Sequence, residues 1–222
     1  MASACTKNLR DGKILVLTAQ AWKPSTAYIL TDVVRPTNGK HNGFEYVCTT
    51  AGTSGVTEPT WPLTGTVTDC TPLVWTTQAI TKGKTIDFID KGSFKFTVKK
   101  NRIITRDRGV LAEHRGSDEE PVEVSFDALY TRLKADTAEV SLYELLFRKG
   151  LAAAYVSQGG ANEVWSVHLV LCVRDDLLAK WEVMEFPEFT ADLDFNEGDE
   201  TNALAVKGTS FCTAPTLTHL AM

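Results

Sequence analysis

Apolar and polar residues alternate with a period of two along much of the second part of the chain. In Ser93–Lys100, Phe94, Phe96 and Val98 share one face and Lys95, Thr97 and Lys99 the other. In Val122–Asp127, Val122, Val124 and Phe126 oppose Glu123, Ser125 and Asp127. Val164–Arg174 carries an unbroken apolar face of Trp165, Val167, Leu169, Leu171 and Val173. Ala191–Asn196 sets Ala191, Leu193 and Phe195 against Asp192, Asp194 and Asn196. Each pattern predicts a half-buried strand. Lys13–Thr18, Thr85–Ile89, Trp181–Phe189 and Ala203–Cys212 predict further strands, while Leu129–Lys134 reads equally as a strand end or a helix. Helical signals concentrate in Leu142–Lys149. Ser141 is placed as N-cap with Glu144 three residues on, Val140 and Leu145 as a hydrophobic staple, and Gly150 as a left-handed stop. Leu142, Leu145 and Leu146 form the stripe that would dock on a sheet. One helix with about eight strands predicts a mainly β fold, a β-sandwich with one flanking α-helix.

Residues 21–80 have a different texture. They hold Trp22, Trp61 and Trp75, many Gly and Thr, and few charges: Lys23, Arg35 and Lys40 against Asp32, Glu45, Glu58 and Asp69. Tight turns and aromatic anchors predict a small all-β module. Lys7–Leu17 reads as the first strand of the host and Thr85–Ile89 as its continuation, so the division is 1–20 with 81–222 as host and 21–80 as an insertion into a loop or hairpin, whose two junctions lie close in space. At least two of Trp22, Tyr28, Tyr46, Trp61 and Trp75 must form the insert's own core, because so small a module buries little else. Trp75, in a predicted strand, is the expected core residue. Trp22 and Trp61, the latter beside proline, are the expected surface aromatics.

Composition narrows the function classes. The chain has 222 residues, a net charge of −5, 43% hydrophobic and 23% charged residues, which is ordinary globular usage and not that of a disordered chain. A mild acidic balance argues against a duplex-DNA reader. No apolar run approaches the roughly 18–20 residues of a spanning helix. The first residues lack the apolar core of a secretory signal. A soluble, cytoplasm-made protein is expected. The five cysteines, Cys5, Cys48, Cys70, Cys172 and Cys212, form no CxxC or Cys/His cluster, so no zinc site is expected and free thiols are. A Cys48–Cys70 bridge is the one pairing left open.

Catalytic constellations are weak. His114 lies near Ser117, Asp118 and Glu119, but no G-x-S-x-G elbow presents a nucleophile, and a solvated polar loop explains the cluster. Glu119-Glu120 has polar neighbours, which does not favour a buried acid with a raised pKa. Asp192-x-Asp194-x-Asn196 begins like a calcium loop, yet Glu197 stands where glycine is needed and Ala203 where the closing glutamate is needed. No glycine-rich loop opens a helix to cradle phosphate. His168, on the polar side of its strand, reads as a partly buried histidine bonded to a neighbour. No enzymatic activity, cofactor or metal is expected.

Several strings resemble the major tail tube proteins of long, non-contractile-tailed bacteriophages. They are Thr6-Lys-Asn-Leu-Arg-Asp-Gly-Lys-Ile, Lys91-Gly-Ser-Phe-Lys-Phe-Thr-Val, Arg106-Asp-Arg-Gly-Val-Leu, Gly116-Ser-Asp-Glu-Glu-Pro-Val-Glu-Val-Ser-Phe-Asp and the helix followed by Ala152-Ala-Ala-Tyr-Val-Ser. The resemblance covers residues 1–18 and 82–212 in order, and the 21–80 insert departs from it. The insert resembles small β modules of phage tail proteins and carbohydrate-binding modules of chitinases, through Trp22-Lys-Pro-Ser-Thr-Ala-Tyr, Gly43-Phe-Glu-Tyr-Val-Cys-Thr-Thr-Ala-Gly-Thr-Ser-Gly, Glu58-Pro-Thr-Trp-Pro and Val74-Trp. Cys70-Thr-Pro replaces a glycine-centred turn expected before the last tryptophan.

The resemblance implies a structural virion subunit assembled in the host cytoplasm. Homo-hexameric rings would stack into a hollow tube through which viral DNA passes without specific binding. It further implies contacts with a tape measure protein, a tail terminator and tail-tip proteins. Within that frame the Asp107–Pro121 segment reads as a long charged loop reaching a neighbouring subunit and the next ring, through Arg106, Asp107, Arg108, His114, Arg115, Asp118, Glu119 and Glu120. Asp192 and Asp194 are candidates for an acidic lumen that does not trap DNA. The insert would project outward as a decoration, with Trp22 and Trp61 free to stack on host-surface glycans. A glycan-binding tail decoration protein is the alternative reading. No membrane insertion is expected.

Overall fold

The computed structural model describes residues 12–87, 93–108, 110–129, 140–156, 164–175, 180–196 and 203–221. Strand β1 (Gly12–Leu17) leads into β2 (Gln20–Ala21), β3 (Ala27–Tyr28), β4 (Val33–Arg35), β5 (Glu45–Thr50), β6 (Gly52–Thr53), β7 (Thr66–Thr68) and β8 (Val74–Gln78). Then come β9 (Gly83–Asp87), β10 (Lys95–Thr97), β11 (Lys100–Asp107), β12 (Val110–Glu119) and β13 (Val122–Leu129). Helix α1 (Leu142–Phe147) and a 3-10 turn (Gly150–Ala154) precede β14 (Val167–Asp175), β15 (Lys180–Asn196), β16 (Ala203–Ser210) and β17 (Thr216–Ala221). The described residues form a mainly β fold with one short α-helix.

The large sheet runs β10-β13-β16-β15-β14-β1-β9, with β17 also on β15. Its organising element is β15. The first part of that strand pairs with β14 and β17, and the last part with β16. Between them the register slips: Leu169 faces Phe186 while Val167 faces Phe189, so Pro187 and Glu188 stand against the single residue His168. A bulge is where a strand tolerates proline, and it bends the strand. The Glu188 backbone takes φ +47°, and the Ser210 hydroxyl donates to the Pro187 carbonyl.

On either side of the bend, inward residues feed one core. Ile14, Val16, Leu169, Leu171 and Val173 come from one half, and Val122, Val124, Phe126, Leu204 and Val206 from the other. Phe186 and Phe189 join them. The ring of Phe186 lies 5.9 Å from that of Phe94 and 5.6 Å from that of Phe96. Gly208 is needed here: a Cβ would sit 2.8–2.9 Å from the Phe189 ring.

The capping box of α1 is present. The Glu144 amide donates to Ser141 Oγ at 3.1 Å, and the Ser141 amide to Glu144 Oε2 at 3.3 Å. Val140, Leu142, Leu145 and Leu146 are buried in the core, as the stripe predicts. The stop differs. The helix closes at Phe147 with Arg148 as its left-handed C-cap, two residues before Gly150, which also has a positive φ of +49°. The side of Gly150 is filled by the Glu144 carboxylate, 1.9 Å from where a Cβ would be. The Trp165 indole donates to the Leu145 carbonyl at 3.0 Å, which ties the helix to the chain entering β14.

β1 and β9 are antiparallel partners, Leu17 opposite Gly83. The chain thus leaves the large sheet at Leu17 and returns beside it, with the Thr18 amide donating to the Lys82 carbonyl at 2.8 Å. Residues between form a second five-stranded sheet, β2-β4-β5-β8-β7, and a small β3–β6 pair. This segment has its own core of Trp22, Val34, Tyr46, Cys48, Trp61, Leu73 and Trp75. The Cys70–Leu73 turn is closed by the Leu73 amide on the Cys70 carbonyl, with Thr71–Pro72 cis.

Candidate assembly surfaces and the buried junction

The segment 107–121, expected as a loop, is the turn and second strand of a two-stranded ribbon. Among the described residues β11 and β12 pair only with each other, from Lys100 opposite Glu119 to Asp107 opposite Val110. The difference has a physical reason. A hairpin without a core beneath it needs no apolar alternation, and here Ile103 and Ile104 are consecutive and point to opposite faces. Both faces meet solvent: Ile103 is 53% exposed, Ile104 44% and Leu111 62%. Arg106, Arg108, Arg115, Asp118 and Glu119 are exposed along it, and Glu120 is half-buried at its base. The ribbon root is braced within the chain. Asn101 donates to Glu120 at 2.5 Å, and Lys99 bonds Glu123 at 2.6 Å. Of the segment's expected contact residues, the side chains of Asp107 and His114 lie outside the described residues, as does that of Ser117.

Asp192 and Asp194 are exposed on the polar face of the β13–β16–β15 half. Lysines interleave with them. Lys207 is cross-strand from Asp192 and lies 3.6 Å from the Asp194 carboxylate. A shallow groove on this face is lined by Lys95, Thr97, Glu123, Ser125, Asp192 and Lys207. The face is therefore mixed in sign rather than uniformly acidic. Glu197, Asp199 and Glu200 lie outside the described residues.

The expected surface aromatics are not at the surface. Trp22 is 5% and Trp61 9% exposed, both in the segment's core with Trp75. Their indole N–H groups find carboxylates, which lets them enter an apolar core with no unpaired donor. Asp69 Oδ2 accepts from Trp22 at 2.7 Å and from Trp75 at 3.2 Å, while Oδ1 accepts from the Gly55 amide at 3.0 Å. Glu58 accepts from Trp61 at 2.8 Å, from the Thr37 amide and hydroxyl, and pairs with Lys40 at 2.8 Å. Burial pushes the Glu58 carboxyl up, but the bonds from Lys40, Thr37 and Trp61 outweigh it and leave the group below the usual range. Cys48 is buried and Cys70 exposed, both free thiols. Cys5 lies outside the described residues. Asp69→Asn puts a donor among donors and removes the charge, so a loss of about 2 kcal/mol is expected. Tryptophan fluorescence during urea unfolding reads it.

The segment does not stand clear of the host. The outer face of the β1–β14–β15 half carries Leu15, Leu17, Val170, Cys172 and Val183, all 0–2% exposed, with Ile80 of the returning chain packed on them. The pattern showed one apolar face on β14; both faces are buried. Burial raises the Cys172 thiol to about 11.

At the rim of this face the two parts meet through buried polar groups. His168 and Glu185 are fully buried and lie 3.1 Å apart, Nε2 to Oε2. The Gly39 amide donates to Glu185 Oε1 at 3.0 Å. A side chain at Gly39 would press on Thr216 at 3.3 Å. His41, also fully buried, holds its ring 6.4 Å from that of His168. Arg35 is 4% exposed, and burial pulls its guanidinium down to about 10 against the attraction of Glu185 and Glu58. Nearby, buried Glu45 accepts from the Thr81 amide at 2.9 Å and the Lys82 amide at 3.1 Å, which fixes the return junction. Histidine 168 has the expected bonded neighbour, although it is fully rather than partly buried. Arg35, His41 and Glu185 were not singled out from the sequence. The available signal was Glu185 falling in register with Trp181 and Val183, a charge on an apolar face.

Among the described residues no three His, Cys, Asp or Glu side chains are grouped to hold a metal ion. Among the described residues no helix is long and apolar enough to cross a membrane. No protein-family description, no curated protein and no solved structure matches this chain.

Proposed function

We propose that the protein is a structural subunit of a bacteriophage tail tube, forming homo-hexameric rings that stack into a conduit for DNA. The observation that carries this reading is the β11–β12 ribbon. An isolated two-stranded hairpin is marginal in water, and this one holds Ile103, Ile104 and Leu111 in solvent. A second copy of the chain laid along it would supply the missing core. Among the described residues β9 and β10 each pair on one side only, so they offer open edges of the kind that close around a ring. The string resemblances to tail tube proteins point the same way. The mixed-sign face bearing Asp192 and Asp194 suits a lumen with little net attraction for phosphate.

The glycan-binding alternative loses its contact residues, because Trp22 and Trp61 are core. Negative-stain microscopy of the purified chain tests the proposal. Rings or tubes are expected for the wild type. The double variant Ile104→Asp with Leu111→Asp is expected to remain folded by circular dichroism and to stay monomeric, since both positions are exposed in the single chain. Tubes of normal length from that variant would overturn the ribbon's role.

A further inference from the structure

We propose that the segment 19–82 is latched onto the large sheet by a proton-sensitive buried cluster, and that its hold on the sheet weakens in mildly acid solution. The latch is built from His41 on the segment and His168 with Glu185 on the sheet.

Geometry fixes both imidazoles in the neutral state. His41 Nδ1 accepts from the Gly43 amide at 3.2 Å, so the ring proton is on Nε2, and a second proton would have to break that bond. The His41 Nε2 and His168 Nδ1 atoms are buried without a hydrogen-bond partner. His168 uses Nε2 on the Glu185 carboxylate, so added protonation would place an N–H on the unpartnered Nδ1. A buried donor left without an acceptor is costly.

The surrounding groups reinforce this. From β4 comes Arg35, from β1 Lys13, from β14 His168 and Cys172, from β15 Glu185, and from β17 Thr218 beside Gly39. Lys40 is occupied by Glu58. Arg35 and Glu185 already offset one another, so a proton on either histidine leaves net positive charge in a closed space. Burial first, then the His168 charge, takes the His41 imidazole down to about 3. Burial and Arg35 hold His168 well below the ordinary histidine range.

The sign follows by linkage. Released histidines titrate near 6.5, while latched ones stay neutral, so the released state binds more protons below that pH. Docking is therefore complete above about pH 6.5 and weakens as the pH falls. Glu185 works the other way. Burial raises its carboxyl, so the latched state binds one more proton as that group titrates. Two histidines against one glutamate leave at least one net proton, which lowers the docking constant about tenfold per pH unit below 6.5.

The test uses the whole chain between pH 7.5 and 5, with amide hydrogen exchange corrected for intrinsic rates and imidazole NMR signals followed together. Protection of the Gly39 amide is expected to fall about tenfold per unit below pH 6.5, in step with protonation of both histidines, while β13 and β16 amides keep theirs. His41→Gln, whose side-chain oxygen can accept from the Gly43 amide in place of Nδ1, is expected to stay docked at pH 7.5 and to lose about one proton of slope. Gly39 protection that is level from pH 7.5 to 5 would overturn the proposal. So would histidines that titrate near 6.5 with the Gly39 amide still protected.

Discussion

Replacing residues 18–82 by a two-residue Asn-Gly turn between Leu17 and Gly83 is expected to give an aggregating chain, not a trimmed host. The strands it joins are already partners, Leu17 opposite Gly83, so the hairpin geometry survives. The face above it does not. Leu15, Leu17, Val170, Cys172 and Val183, now 0–2% exposed, would lose Ile80 from over them and keep the host's Trp181 and Leu220. Burying one such side chain is worth about 1.5–3 kcal/mol. Half of that over the group rivals the whole ~5–15 kcal/mol by which a domain is stable. An open apolar face also seeks another copy of itself. Size-exclusion chromatography and dye binding to exposed apolar surface check the outcome. A soluble monomer with an unchanged melting temperature would mean that the sheet needs no cover and that the segment is a detachable ornament.

Phe186→Ala is expected to cost about 3–5 kcal/mol, the range of aromatic truncation in a sealed core. Phe186 is fully buried at the bend of β15, where Phe94, Phe96 and Leu169 converge. Those neighbours come from both halves of the sheet, so the void cannot close by moving one of them. Phe211→Ala is the control. That ring is 79% exposed, and a change within about 0.5 kcal/mol is expected. Urea unfolding of the two variants measures the contrast. Equal losses would show that the bend carries no special share of the core.

The parts of the fold legible in the sequence are those where local pattern and tertiary burial agree. Val122, Val124 and Phe126 alternate and face the core. Ser141 and Glu144 spell the helix start and make both bonds of the box. The β1–β9 pairing followed from two strand patterns interrupted by a change of texture. What stayed hidden depends on partners far along the chain. Glu185 is bonded by the Gly39 amide 146 residues away, and no period in either neighbourhood announces it. Trp61 beside proline looks like a turn residue, but Glu58 three positions earlier satisfies its indole and lets it go inside. The ribbon was unreadable for the opposite reason. A strand pair that covers nothing has no reason to alternate, so only charge was visible.

The 17-residue β15 is about 56 Å long at roughly 3.3 Å per residue, and it serves both halves of the sheet. Melting either half loosens a backbone that the other half shares. A load applied at one end of the strand is carried by covalent bonds past Pro187 to the other, loading rungs on both sides of the bend at once. A strand shared in this way ties the two halves together, which suits the repeated part of the long, narrow column that we propose.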